Sequence, residues 1–189
     1  MTMWMKHMLV LGLPRVGKTT LCVNDIFMKL PKTHKAVFIN IQWEDYFGKI
    51  PVTFEDPPVP LEGHKTVWNI EDHSRIIPWL SKLYENQRRS QVLHPVTVII
   101  DECHLIFPRY LNIHNPENLP IKRLMTMGLK WNLRLILISQ KPQFVSPDIY
   151  KLCERKILFK LDSPDVKHLQ KLGYPANPPN VPYKFQVIE

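Results

Sequence analysis

A chain of 189 residues with 44% apolar and 22% charged side chains has ordinary globular composition, long enough for one α/β domain with a sizeable core. No apolar run approaches the ~20 residues of a membrane span, and three scattered cysteines without a C-x-x-C suggest neither a disulfide frame nor a zinc site. The net charge of +8 leaves room for a polyanionic partner.

The first element in chain order is an apolar run, HMLVLG, which reads as a buried strand. It leads straight into GLPRVGKT, residues 12–19, a complete G-x-x-x-x-G-K-T phosphate-binding loop. Gly12 and Gly17 allow the backbone to curl, so that the segment Gly12, Leu13, Pro14, Arg15, Val16, Gly17, Lys18, Thr19, Thr20 wraps a polyphosphate. Lys18 supplies positive charge to the β and γ oxygens, and Thr19 offers its hydroxyl to Mg²⁺ at a helix N-terminus. ATP and Mg²⁺ are the cofactors this implies. The residues before the loop lack a signal-peptide pattern, and with the unpaired cysteines this points to a cytoplasmic, reducing location.

Residues 20–30 read as a helix stopped by Pro31, and 35–41, KAVFINI, as a second strand. Residues 42–65, with prolines at 51, 57, 58 and 60, read as a surface loop with little regular structure. Ser74 is placed as the cap of a helix whose stripe is Ile76, Ile77, Leu80, Leu83 and Tyr84. A third strand, 95–100, ends at Asp101-Glu102, and an Asn/Pro-rich loop follows to residue 120. Then come a short helix over 121–128, a fourth strand over 133–139 that delivers Gln140, and a fifth strand over 156–161. Ser146-Pro147 and Ser163-Pro164 read as N-caps followed by proline at the first helical position, with Gly173 closing the second helix. We read 1–189 as a single domain with a proline-rich tail from about 174 and a possible edge strand over 183–188.

Strands alternating with helices predict an α/β fold with a parallel sheet, where ligands sit beyond the C-terminal strand ends. The loop at Gly12, the acids at 101 and 102, and Gln140 all fall at such ends. Asp101 is placed to hold Mg²⁺ through its water shell opposite Thr19, and Glu102 to polarise a water for in-line attack on a γ-phosphate. Gln140 can bond the γ-phosphate or that water and so couple nucleotide state to the loop beyond it. Arg123, Lys130 and Arg134 are candidates for a charge acting on a neighbouring subunit's site. Arg109, Lys122 and Arg123 are candidates for contacts to a DNA backbone.

Taken in order, GLPRVGKTT, VTVIIDECHLIFPR, MGLKWNLRLILISQKP and VSPDIYKLCERKILFKLDSPDVKHL resemble the FtsK–HerA family of P-loop motor ATPases, above all its short viral members that package double-stranded DNA. The resemblance implies a RecA-like fold of the ASCE division with strand order 5-1-4-3-2, Glu102 as catalytic base and Gln140 as sensor. It also implies a homo-oligomeric ring, hexamer or pentamer, around double-stranded DNA, with a capsid or membrane-vertex protein as a further partner. The family often carries an arginine within the segment matching residues 127–132, where Lys130 is the basic residue here. The chain begins just before the phosphate loop, which leads us to expect a minimal motor without barrel or membrane anchor. A weaker resemblance is to Zot-type assembly ATPases. A small P-loop kinase and a nucleotide-gated assembly protein are the competing readings.

Overall fold

The computed structural model describes residues 6–42, 47, 50–54, 57–58, 65–92 and 94–189. Their organising feature is one eight-stranded sheet in the order β3-β4-β2-β5-β6-β1-β7-β8. The central strands are β1 (Met8–Leu11), β2 (Lys35–Asn40), β5 (Val96–Ile100), β6 (Leu133–Ser139) and β7 (Arg155–Leu158). Of these, β1, β5 and β6 are buried at every position, as expected of parallel strands covered on both faces. All pairings are parallel except that of β7 with β8 (Gln186–Ile188), which is antiparallel.

Period-two alternation decides which face each side chain serves. Leu9 and Leu11 of β1 join Val37, Val98, Ile100, Leu135 and Leu137 in a core. That core is covered by α2 (Ile76–Arg89), α3 (Leu119–Met127), α4 (Pro147–Leu152) and α5 (Ser163–Lys171). Met8 and Val10 point the other way, with Phe38, Ile99 and Ile136, onto Cys22, Val23, Ile26 and Phe27 of α1. That helix is α-helical over Lys18–Thr20 and π-helical over Leu21–Phe27. Wide π turns often mark functional sites, and this one directly continues the phosphate loop.

Four expectations need correction. The strand order is not the five-membered 5-1-4-3-2, because β4 (Lys65–Asn69) and β3 (Val52–Phe54) extend the sheet beyond β2, and β8 extends it beyond β7. The span 42–65 is therefore not simply loop; the remainder of it, residues 43–46, 48–49, 55–56 and 59–64, lies outside the described residues. Asp72, not Ser74, caps the turn leading into α2, its carboxylate accepting from the Ser74 amide. Asp162, not Ser163, caps α5 by accepting from the Asp165 amide; Ser146 does stand at the N-cap of α4 with Pro147 opening the helix, as expected, but its hydroxyl donates to the Leu111 carbonyl. In the two aspartate cases a carboxylate outcompetes a nearby hydroxyl for a helix-end N–H.

The N-terminal strand ends carry buried polar groups that serve the fold. His7, 1% exposed, accepts the Leu135 N–H on Nδ1 at 3.0 Å. Burial, reinforced by the charge of Arg134, lowers its pKa from 6.5 to about 4. The unfolded chain thus takes up a proton below pH 6.5 that the folded chain refuses, so the His7 contribution is intact above 6.5 and is lost as pH falls toward 4. Over that window the loss is about 3 kcal/mol. Urea titrations at pH 7 and pH 4 should show it, and His7→Gln, which keeps an acceptor for the amide, should flatten the dependence.

Candidate nucleotide site

The parallel register lines up the strand ends that build the site. Leu11 pairs with Ser139 and with Leu158, while Ile100 pairs with Ile39 and Leu137, so Gly12, Asp101 and Gln140 all emerge along one edge. From Leu11 the chain turns at Gly12, where a Cβ would stand 2.7 Å from the Phe159 Cβ. The Leu13 N–H donates to the Lys160 carbonyl at 2.9 Å and pins the loop to the end of β7. Arg15 and Gly17 take positive φ, 58° and 103°, which closes the curl. Gly17 then accepts the Leu21 N–H at 2.9 Å and starts α1. Lys18 is 4% exposed and donates from Nζ to the Leu13 carbonyl at 2.7 Å, folding its ammonium across the loop. A bound phosphate would offer that ammonium a charged acceptor in place of a neutral one.

Glu102 occupies the next strand end but one, and its backbone is unusual. It sits in the left-handed region at φ 45° and ψ 46°, a conformation that costs a non-glycine residue about 1–2 kcal/mol. The turn stops β5 and aims the carboxylate sideways to both neighbouring strands. From the β2 side, Gln42 Nε2 donates to Oε1 at 2.9 Å; from the β6 side, the Gln140 N–H makes a long contact of 3.5 Å to Oε2. His104 Nδ1 lies 3.2 Å from Oε2 and 3.2 Å from the Ser139 hydroxyl. A carboxylate only accepts, so the Nδ1-protonated tautomer is the one that bonds Glu102. Asp101, 3% exposed, accepts the Glu102 N–H on Oδ1 at 3.0 Å, so the pair is mutually braced.

The loop and the amides share one cleft of about 520 Å³, lined by Pro14, Arg15, Gly17, Lys18, Thr19 and Thr20 together with Gln42, Gln140 and Tyr183. The donor set of the cleft, a lysine, backbone amides and the Thr19 hydroxyl, fits a polyphosphate; Asp101 and Glu102 do not line it but stand buried at the same strand edge, Glu102 touching the lining through Gln42, as oxygen donors for a hard cation such as Mg²⁺. Two of the lining residues were not singled out as site residues from sequence. Gln42 could have been found, because it follows β2 at the same end of the sheet as Gln140 follows β6. Tyr183 gave no sequence signal, since more than 160 positions separate it from the loop it covers.

Among the expected surface cations, Arg134 is corrected. It is buried at 4% exposure on the N-terminal half of β6, where Nε donates to the Lys6 carbonyl at 2.9 Å. Six strand positions, about 20 Å, separate it from Gln140 at the other end. Burial lowers its pKa to about 10. It can reach neither DNA nor a neighbour's site. Lys130 is exposed near that same far end and lies over the Trp131 ring at 5.2 Å. Arg109 and Arg123 are exposed and Lys122 partly so; they line no part of the cleft.

Sheet and cleft together define the RecA-like P-loop NTPase fold, and the chain resembles the FtsK–HerA ATPases. No family model matches it. It is 28% identical over 112 residues, 59% of its length, to a probable DNA double-strand break repair helicase HerA of Methanocaldococcus jannaschii, of which the match spans 22%. The genome packaging NTPase of Sulfolobus turreted icosahedral virus 2 in complex with AMPPCP superposes with a TM-score of 0.71 at 15% identity, covering 96% of this chain and 91% of that one. The N-terminal domain of zonular occludens toxin from Neisseria meningitidis gives a TM-score of 0.51 at 19% identity, over 83% and 78%. Among the described residues no helix is long and apolar enough to cross a membrane.

Two glycines separate loop chemistry from general stability. Gly17→Ala places a Cβ 2.7 Å from the Tyr183 ring on a backbone at φ 103°, whereas Gly173→Ala, at φ 88°, meets nothing within 4 Å. Calorimetric titration with ATP should show at least a ~10-fold loss for Gly17→Ala, about 1.4 kcal/mol, and wild-type affinity for Gly173→Ala.

Proposed function

We propose that this chain is the ATPase engine of a translocase that packages double-stranded DNA into a capsid. The observation that carries the reading is the buried Glu102 carboxylate, held by Gln42 and His104 directly behind Gln42 and Gln140, two of the residues that line the cleft above the phosphate loop. The HerA-like sequence and the fold shared with a packaging NTPase support it. A kinase would need an acceptor site facing the γ-phosphate, and in this reading Glu102 and its water take that place.

In this reading Lys18 leaves the Leu13 carbonyl for the β and γ oxygens, and the loop amides take the rest of the charge. Thr19 and Asp101 would hold Mg²⁺, which would supply positive charge to offset the charge that develops on the phosphates. Glu102 orients the attacking water and accepts its proton, while Gln42 and His104 keep the carboxylate facing the cleft. Gln140 senses the γ-phosphate. It is followed by the turn Pro142–Phe144, in which the Phe144 ring is 53% exposed with Lys141 Nζ 5.7 Å above it. Loss of the γ-phosphate would release Gln140 and shift that exposed, cationic turn against the duplex backbone. The reading includes a homo-oligomeric ring, with a basic residue of the next subunit, Lys130 or Arg123, completing the site. It also includes a capsid or membrane-vertex partner for the motor.

Phosphate release should rise on addition of duplex DNA. Lys18→Ala should abolish nucleotide binding, and Glu102→Gln should retain binding while turnover drops about 10²- to 10⁴-fold. Full turnover by Glu102→Gln would remove the base assignment. Duplex affinity should fall by roughly 10³ between 50 and 200 mM salt for about six phosphates neutralised, and a salt-independent affinity would remove DNA from the proposal.

A further inference from the structure

The phosphate loop has a second neighbour that the hydrolytic chemistry leaves unexplained: the C-terminal tail. Tyr183 lies 166 positions beyond Gly17 in sequence, yet its N–H donates to the Val16 carbonyl at 2.9 Å and its ring covers Gly17, where an added Cβ would stand 2.7 Å from Cδ1. The residue adopts φ 61°, uncommon for a bulky side chain. Its ring is not there to fill the core, for the residue is 68% exposed and lines the nucleotide cleft.

The tail is secured on the far side of Tyr183 as well. Phe185 packs on Phe159 with ring centroids 5.4 Å apart, and β8 pairs with β7 immediately afterward. Gln186 bonds the backbone of Asn177 and Pro175 at 2.8 Å each, tying the returning strand to the outgoing segment. An exposed aromatic ring is thus held at a fixed place by chain on both sides, in a backbone conformation that costs free energy.

Strand order says which end of a nucleotide this ring would meet. Across the sheet the sequence is β5, β6, β1, β7, β8. Glu102 and Gln140 follow β5 and β6, so a triphosphate in the loop after β1 turns its γ end toward them. The nucleoside end is then left on the β7 and β8 side, where Tyr183 stands. Resting on the nucleotide reading above, we propose that Tyr183 is the stacking platform for the nucleobase, and that the tail from Pro175 to Glu189 is a built part of the nucleotide site. An aromatic face recognises the π face of a base and ignores the phosphates.

Calorimetric titration of the full chain with ATP and, separately, with inorganic tripolyphosphate tests this. Tyr183→Ala should weaken ATP on the order of ten- to a hundred-fold and leave tripolyphosphate affinity unchanged, and Tyr183→Phe should bind both ligands within about twofold of wild type. Equal losses of ATP and tripolyphosphate in Tyr183→Ala would mean that the ring only props the loop, and would overturn the proposal. Unchanged ATP affinity would overturn it too, while leaving the ATPase reading intact. A wild-type chain that binds neither ligand would overturn both.

Discussion

The Glu102 carboxylate bridges strands that only the sheet brings together. Its own strand, β5, lies between β2 and β6, and the left-handed turn at its end lets one carboxylate meet Gln42 from one neighbour and the Gln140 backbone from the other. Had β5 continued two residues further in extended conformation, that side chain would have pointed along the sheet normal. The strained turn converts a strand end into a pivot. Strain of this kind persists where surrounding contacts over-determine it, and here the Asp101 carboxylate, Gln42 and His104 supply them.

The phosphate loop is constrained from both sides in the same way. Gly12 has no room for a side chain because Phe159 and Lys160, just beyond β7, pass directly behind it, and Gly17 has none because Tyr183 lies on it. Glycine therefore does two jobs in this loop: it allows the curl, and it lets two other segments come within contact of the backbone. The lysine is held ready by an internal carbonyl, so its charge is buried yet bonded before any ligand arrives.

Polar burial at the opposite strand ends has a different purpose. His7, Arg134 and Lys156 are almost inaccessible, and each bonds backbone: the Leu135 amide, the Lys6 carbonyl and the Cys153 carbonyl. Burial lowers the pKa of all three. Lys156 also lies under the Tyr174 ring at 4.5 Å, which helps to compensate its lost hydration. Buried polar groups thus fasten both ends of the sheet, and only at the C-terminal ends do further polar side chains, Gln42 and Gln140, line a cleft.

The sequence by itself determined the strands that are apolar throughout, because MLVL, VTVII and LRLILIS bury both faces and admit no other placement. It also determined the loop chemistry and the acids and amide at three strand ends, since these are local motifs with fixed spacing. Only the tertiary structure decided the rest. The edge strand β3 has three residues and exists because a neighbour offers it hydrogen bonds, and β8, expected from sequence as an edge strand within 183–188, acquires its partner β7 only in the fold; no local pattern specifies a pairing partner. Arg134 looked like a surface cation until β6 was buried along its whole length. Gln42 and Tyr183 entered the cleft through contacts 60 and more positions apart, and such contacts follow from strand order, which spacing along the chain does not encode.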